Sequence, residues 1–95
     1  MEDIVIADNT GLSRVEALIQ TAVAGYAEYE ELETARMFTH TIVSPEYEGR
    51  GVGSALARGA LDLARSQGKT VLPRCPFIKA WIGKHPEYAD LVGST

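Results

Sequence analysis

The chain has 95 residues, which is enough for one small domain over residues 1–95 and too few for two. Apolar residues make up 45% of it and charged residues 23%, proportions that are ordinary for a globular protein and exclude disorder, a collagen repeat and a disulfide scaffold. The net charge is -4, so we expect no general binding of nucleic acid. The charge is uneven: residues 1–48 hold ten acidic and two basic residues, whereas residues 49–95 hold seven basic and three acidic residues. The second half therefore suits a small polyanion.

The first half of the chain predicts an antiparallel meander of strands. Several short runs are apolar, alternate between polar and apolar residues, or are rich in β-branched and aromatic residues, and all three patterns are typical of strands. These runs are residues 4–7, 14–19, 23–29 and 35–43. Turn chemistry at residues 8–11 (DNTG) and a tight turn at Gln20–Thr21 separate the first three of them.

The second half predicts helices around one further strand. Pro45 ends the meander, because proline cannot donate to a ladder of strand hydrogen bonds. The elements expected after it are an amphipathic helix from Val52 to Arg65 with Gly68 as its stop, a strand over residues 70–74, a helix over residues 76–83 and a short helical segment over residues 86–91. The predicted fold class is therefore α+β (mixed α/β): a meander, a β-α-β unit and a C-terminal helical segment.

The β-α-β unit brings two strand ends together. If the strands over residues 35–43 and 70–74 share one sheet, the helix between them makes them parallel, with a right-handed crossover. Their carboxyl ends, near Val43 and Cys75, then lie at the same edge of the sheet. Ligands of such sheets bind outside the carboxyl ends of the strands, so we expect the functional site at this edge.

A glycine-rich segment, residues 49–54 (GRGVGS), lies between the first of these strands and its helix. The first N–H groups of a helix have no intrahelical partner and lie at the positive end of the helix dipole, and glycine lets the backbone approach an anion closely. We therefore expect a phosphate group to bind here, through Gly49, Arg50, Gly51, Val52, Gly53 and Ser54. A dinucleotide-binding fingerprint is excluded, because Ser54 stands where its last glycine belongs, and a plain glycine-rich turn is the alternative.

Residues 43–56 (VSPEYEGRGVGSAL) resemble the acetyl-CoA-binding motif of the GNAT superfamily of acyl-CoA N-acyltransferases. The pattern of that motif is Gln/Arg-x-x-Gly-x-Gly/Ala at the start of a long helix. Gly51 and Gly53 match it, whereas Glu48 departs from it at the first position, where Arg50 compensates in part.

The resemblance covers nearly the whole chain. His40, the Cys-Pro-Phe run at residues 75–77 and the His-Pro-Glu-Tyr run at residues 85–88 are similar to those of a compact single-domain subfamily of GNAT proteins. That subfamily lacks the N-terminal helices that cover the acceptor site in larger relatives. The resemblance therefore implies a minimal GNAT-like fold with an open acceptor pocket.

The activity that the resemblance implies is transfer of an acetyl group from acetyl-CoA to an amine. It implies that the pyrophosphate of coenzyme A lies on the glycine-rich segment and that the backbone near Val43 pairs with the pantetheine arm. Arg50, Lys79 and Lys84 are candidates for the 3′-phosphate. The acceptor is a small-molecule or protein amine of unknown identity, and the sequence leaves an oligomer open. The alternative function is a non-catalytic module that binds or senses acyl-CoA.

Two side chains are candidates for catalysis. Cys75 precedes a helix that begins with proline, where the helix dipole favours the thiolate form, so it either protonates the departing coenzyme A or takes the acetyl group itself. The alternative is an inert buried cysteine. His40, about 10 Å before Val43 along the strand, is a candidate general base for the amine. Strand alternation places it on the face of Phe38 and Ile42, so the alternative is a histidine packed under the sheet.

Other features of the sequence bear on location and partners. The N-terminus is acidic and lacks the pattern of a signal peptide, no apolar stretch is long enough to span a membrane, and one cysteine excludes an internal disulfide. We therefore expect a cytoplasmic protein without a membrane partner. No metal site is expected, because the two histidines are far apart and no HExxH or CxxC pattern occurs. The glutamates of residues 28–33 suit either a solvated strand tip or the attraction of a cationic acceptor.

Overall fold

In the computed structural model, which describes residues 3–93, five strands form one sheet whose spatial order equals their order in the chain. The strands are β1 (Ile4–Asn9), β2 (Arg14–Ile19), β3 (Ala22–Glu31), β4 (Ala35–Val43) and β5 (Thr70–Pro73). Neighbours from β1 to β4 pair antiparallel, and β5 pairs parallel with β4. The predicted meander and the predicted parallel β-α-β unit are both confirmed, and with them the α+β fold class.

Local turn chemistry sets the hairpins of the meander. The tight turn expected at Gln20–Thr21 joins β2 to β3, and Gln20 adopts a left-handed conformation with a φ of 57°. β1 extends to Asn9, two residues beyond the predicted end, because Asp8 and Asn9 still pair with β2. The side-chain oxygen of Asn9 then accepts a hydrogen bond from the N–H of Leu12 at 3.2 Å, which stabilises the turn that follows.

Two helices and two 3₁₀ turns complete the fold. The helices are α1 (Val52–Ser66) and α2 (Pro76–Gly83), and the 3₁₀ turns are Pro45–Tyr47 and Pro86–Leu91. The end of α1 agrees with the predicted stop, since Gly68 follows it in a left-handed conformation with a φ of 69°. Within residues 3–93, no helix is long and apolar enough to cross a lipid bilayer.

Both helices share a single hydrophobic cluster with one face of the sheet, which we call the inner face. Phe38 of β4, Leu56 of α1 and Ile78 of α2 are fully buried in this cluster. On the opposite, outer face, the side chains of Val5 and Ile42 are 55% and 48% exposed. Burial of the inner face is the main source of stability, and the outer face stays accessible to partners.

A β-bulge in β4 decides which side chains face the helices. Residues of β4 pair one to one with β3 except at Thr39, which is an extra residue between two pairs. Alternation therefore shifts by one position, so that Phe38 and Thr41 face inward whereas His40 and Ile42 face outward. The prediction that His40 shares a face with Phe38 is wrong, and so is its alternative reading as a packed histidine, because its side chain is 70% exposed.

β4 and β5 separate at their carboxyl ends. Their last pair is Phe38 with Pro73, and the N–H of Cys75 donates to the carbonyl of Phe38 at 2.9 Å just beyond it. From there β4 continues to Val43, whereas the chain turns from β5 into α2. Residues 39–43 therefore have no partner on the β5 side. We call the region beside them the cleft, and the point at Cys75, where the two strands part, its vertex.

Candidate active site

Two glycines give the loop before α1 its shape. Gly49 and Gly51 both have a φ of 80°, a left-handed conformation that residues with a side chain rarely adopt. A Cβ at either position would meet no atom within 4 Å. Glycine is therefore required here by the backbone conformation and not by a lack of space. Gly51 is the N-cap of α1, and its carbonyl accepts the hydrogen bond of the Ala55 N–H at 3.0 Å.

The start of α1 leaves its first N–H groups without a cap. No side chain caps the helix, and its first turn contains no acidic residue. The N–H groups of Val52, Gly53 and Ser54 therefore lie at the positive end of the helix dipole without an intrahelical partner. This arrangement binds anions such as phosphate groups. The Val52 side chain is buried in the core and anchors the turn.

Gly25 brings this turn close to the sheet. It lies on β3 and pairs with Val43 of β4. A Cβ at Gly25 would lie 2.8 Å from the carbonyl oxygen of Ile42 and 3.3 Å from Cγ1 of Val52. The missing side chain therefore lets α1 begin directly against the open end of β4, at the mouth of the cleft. Sequence reasoning treated Gly25 only as a strand residue, because a close approach between distant segments leaves no local pattern.

Cys75 is the N-cap of α2 and is 2% exposed. Its Sγ lies 3.2 Å from Oγ1 of Thr41, and either atom is able to donate in this hydrogen bond. Thr41 is thus the side chain that holds the Cys75 sulfur at the vertex of the cleft. Sequence reasoning missed Thr41, because the bulge at Thr39 turns it inward and no pattern in the sequence marks that bulge.

The His40 side chain points to the other face of the sheet. It lies on the outer face, where its Nδ1 is 3.6 Å from Oε1 of Glu28. This distance is too long for a hydrogen bond, so the two groups interact through their charges when His40 is protonated. The structure does not bring the side chains of His40 and Cys75 together: they lie on opposite faces of the sheet.

Residues of α2 contact the first turn of α1. The indole N–H of Trp81 donates to Oγ of Ser54 at 3.0 Å. The ring of Phe77 packs over Gly53, where a Cβ would lie only 3.0 Å from the ring, and this ring is 43% exposed. Gly53 therefore makes room for an aromatic side chain, whereas the sequence analysis expected its missing side chain to let an anion approach the backbone.

The basic candidates lie in different places. The guanidinium of Arg50 lies beside the glycine-rich loop, 5.4 Å from the centre of the Tyr47 ring. Lys79 instead lines a cavity of about 540 Å³ beside β5, together with Arg74 and Val92, and no residue of the glycine-rich loop lines it. Over the described part of the chain, no group of three or more histidine, cysteine or acidic side chains is placed to hold a metal ion.

The family described as GCN5-related N-acetyl-transferase matches residues 14–91 of the chain. This match runs from β2 to the last 3₁₀ turn, and the chain therefore belongs to this family of N-acetyltransferases. The GNAT-like fold that the glycine-rich segment implied is confirmed. That the Cys-Pro-Phe run marks a compact subfamily stays a prediction.

Two solved structures share the fold. The solution structure of a GCN5-like putative N-acetyltransferase from Staphylococcus aureus covers 100% of this chain and 93% of its own, with a TM-score of 0.70 and 23% identity. The crystal structure of ribosomal-protein-alanine N-acetyltransferase from Brucella melitensis biovar Abortus 2308 covers 86% of this chain and 62% of its own, with a TM-score of 0.58 and 16% identity. At these identities the likeness establishes the fold alone. Among curated proteins, none matches this sequence.

Proposed function

We propose that the protein transfers an acetyl group from acetyl-CoA to an amine. The observation that carries the proposal is the uncapped start of α1, next to the open end of β4. Its N–H groups, from Val52 to Ser54, suit the pyrophosphate of coenzyme A, with Gly49 and Gly51 shaping the approach and Arg50 adding a positive charge nearby. The thioester end of the substrate then extends down the cleft toward Cys75.

The unpaired part of β4 supports the proposal for the rest of the substrate. Beyond Phe38, β4 has no partner on the β5 side, so its backbone near Val43 is available to the amide groups of the pantetheine arm. Acetyl transfer needs a positioned thioester, a neutral attacking nitrogen and a proton for the departing sulfur. In the reaction the nitrogen bonds to the carbonyl carbon, the carbon–sulfur bond breaks, and the sulfur leaves as a thiol.

His40 and Cys75 divide the proton transfers by face. His40 on the outer face accepts the proton of the incoming ammonium, and Cys75 on the inner face serves the departing sulfur. Two routes stay open for Cys75. In one it donates its proton to the departing sulfur. In the other its sulfur first takes the acetyl group and releases coenzyme A as a thiol, and the amine then removes the acetyl group from Cys75.

The acceptor is proposed to be an amine that approaches from the outer face. Glu28 lies beside His40 there, and a carboxylate at that position attracts a cationic amine, whether a small molecule or a protein side chain. A free thiol at Cys75 fits a reducing compartment such as the cytoplasm.

Binding of the donor is tested by thermal unfolding with acetyl-CoA. At a hundredfold excess over Kd, a ligand adds about 2.7 kcal/mol to the free energy of unfolding. For a domain of this size we expect Tm to rise on the order of ten degrees. The absence of any shift contradicts the proposal, and a shift without release of free coenzyme A in any screen of amine acceptors favours a non-catalytic acyl-CoA-binding module instead.

The roles of Cys75 and His40 are tested by substitution. We expect Cys75→Ser to lower turnover by at least tenfold with little change in the affinity for acetyl-CoA, because Cys75 acts on the departing sulfur. Mass measurement after incubation with acetyl-CoA separates the two routes, since only the covalent route adds one acetyl group that Cys75→Ser abolishes. We expect His40→Gln to lower turnover as well, because it removes the group proposed to accept the proton of the amine. Normal turnover of Cys75→Ser contradicts any catalytic role for the thiol.

A further inference from the structure

Trp81 of α2 joins three elements of the fold. Its side chain is 7% exposed, and its ring stacks on His85 with 3.6 Å between the ring centres. The ring of Tyr88 packs against it at 5.3 Å, and the guanidinium carbon of Arg58 lies 5.2 Å from its centre. The one polar group of the indole, its N–H, donates to Ser54 Oγ in the first turn of α1. A ring held on so many sides fixes the position of that N–H.

This hydrogen bond orients the hydroxyl group of Ser54. An indole N–H donates and never accepts, so the oxygen of Ser54 is the acceptor. The hydroxyl proton of Ser54 then points away from Trp81. Ser54 is exposed and is the third residue of α1, so its hydroxyl group lies in the same turn as the uncapped N–H groups of Val52 and Gly53.

We propose that Trp81 is a positioning residue for the pyrophosphate of coenzyme A. By donating to Ser54, it aims the Ser54 hydroxyl proton at the anion that the N–H groups of Val52 and Gly53 bind. This inference rests on the proposed function and adds to it a residue that does not itself touch the substrate. A hydroxyl group that accepts one hydrogen bond is polarised and donates a stronger one, and a bond to a charged acceptor is stronger again.

The competing explanation is that Trp81 is only a core residue supporting α2. Two variants and one control separate the explanations. Trp81→Phe removes the N–H while keeping an aromatic ring, and Ser54→Ala removes the hydroxyl from the exposed side without changing the core. The control, Tyr88→Phe, removes a hydroxyl group from the same cluster, one that donates to Asp62 at 2.8 Å and accepts from Arg58 at 3.2 Å.

Affinity is measured by calorimetry for three probes: coenzyme A, ADP, and S-acetylpantetheine, which lacks the pyrophosphate. We expect Trp81→Phe and Ser54→Ala each to weaken coenzyme A and ADP by roughly tenfold, and the double variant to be no weaker than Ser54→Ala alone. S-acetylpantetheine binds all variants as it binds the unmodified protein, and Tyr88→Phe binds all three probes normally.

A second readout does not depend on the stability of Trp81→Phe. Trp81 is the only tryptophan of the chain, so its indole N–H gives one cross-peak in a proton–nitrogen correlation spectrum. We expect ADP to shift this peak in the unmodified protein and to leave it in place in Ser54→Ala. If Trp81 only supports the core, ADP moves the indole peak equally in the unmodified protein and in Ser54→Ala, or in neither.

The inference is overturned if Trp81→Phe binds coenzyme A normally, if Tyr88→Phe loses as much affinity, or if S-acetylpantetheine is weakened to the same extent as ADP. These outcomes leave the proposed function in place. If the unmodified protein binds neither coenzyme A nor ADP, the proposed function itself fails and the inference fails with it.

Discussion

Glu48 is the residue at which this chain departs from the Gln/Arg-x-x-Gly-x-Gly pattern of the acetyl-CoA-binding motif. It is exposed and follows the 3₁₀ turn at Pro45–Tyr47, where its N–H donates to the carbonyl of Pro45 at 3.3 Å. Its carboxylate therefore stands three residues before the N-cap Gly51 of α1. A negative charge at this point repels the phosphate groups that the first turn of α1 suits.

We expect Glu48→Gln to tighten binding of coenzyme A about two- to fivefold at low salt, because it removes this repulsion between exposed charges. Calorimetric titration at two salt concentrations checks the prediction, and the gain is expected to shrink as salt screens the charges. Glu46→Gln is the matched control, since Glu46 is also exposed but lies two residues further from the helix. An equal gain in both variants points to net charge and contradicts a local effect of Glu48.

At the scale of elements, the junction of β3, β4 and α1 positions the candidate site. The pairing of Gly25 with Val43 and the insertion of the Val52 side chain bring the start of α1 to the open end of β4. The atoms that crowd Gly25 are mostly backbone atoms, including the carbonyl oxygen of Ile42. Backbone atoms in a paired strand do not rotate away, so this junction tolerates no side chain at that position.

Gly25→Ala is accordingly expected to lower the free energy of unfolding by about 1–3 kcal/mol, the usual cost of overpacking. Denaturant unfolding measures the change. Gly83→Ala is the matched control: Gly83 is the last residue of α2, and a Cβ there would meet no atom within 4 Å. That substitution is expected to be neutral or slightly stabilising. Gly25→Ala with unchanged stability would show that the junction relaxes.

At the scale of the whole molecule, a buried ion network holds the sheet together at the end away from the cleft. Arg36, near the start of β4, is 3% exposed and pairs with Asp8 of β1 at 3.0 Å and Glu31 of β3 at 2.7 Å. The hydroxyl group of Tyr29 also donates to Asp8, at 2.6 Å. The glutamates of residues 28–33 are therefore not all a solvated strand tip, since Glu31 is tied into this network.

The network changes the acid–base behaviour of its members. Burial by itself raises the pKa of Asp8, but the hydrogen bond from Tyr29 and the charge of Arg36 outweigh burial and hold that pKa below its ordinary value. The pKa of Glu31 is lowered in the same way, against burial, by Lys69 and Arg36. Burial and the hydrogen bond to Asp8 raise the pKa of Tyr29 to about 12.

Acid is therefore expected to unfold the protein through this network. A carboxyl group whose pKa is lower in the folded state stabilises the fold above its ordinary pKa, and this contribution is lost as the pH falls through the folded-state pKa. We expect Asp8→Asn to lower the free energy of unfolding at pH 7 by about 1–2 kcal/mol and to make it less dependent on pH below 5. Unfolding measured from pH 7 to pH 2 checks this.

The matched control for Asp8→Asn is Asp90→Asn. Asp90 also pairs with an arginine, Arg65, at 2.9 Å, but both side chains are largely exposed. The hydrogen bond from Arg65 lowers the pKa of Asp90 too, but exposed pairs contribute little to stability, so we expect this variant to change the acid dependence much less than Asp8→Asn does. If the two variants behave alike at every pH, the buried network does not control acid unfolding.

The sequence by itself determined the elements and their order. The signals are local: alternation over residues 14–19, β-branched and aromatic residues over residues 35–43, proline at the starts of both 3₁₀ turns and of α2, and glycine after α1. Each of them acts on residues a few positions apart. The glycine-rich loop before α1 could be predicted for the same reason, because Gly49 and Gly51 each determine the backbone conformation at their own position.

Only the tertiary structure decided which side chains meet at the candidate site. The bulge at Thr39 sends His40 outward and Thr41 toward Cys75, and the indole of Trp81 reaches Ser54 across 27 positions of the chain. These contacts join elements that are distant in sequence, and their geometry follows from strand register and helix packing. Because register and packing are set by the burial of the whole core, no short pattern of residues records them.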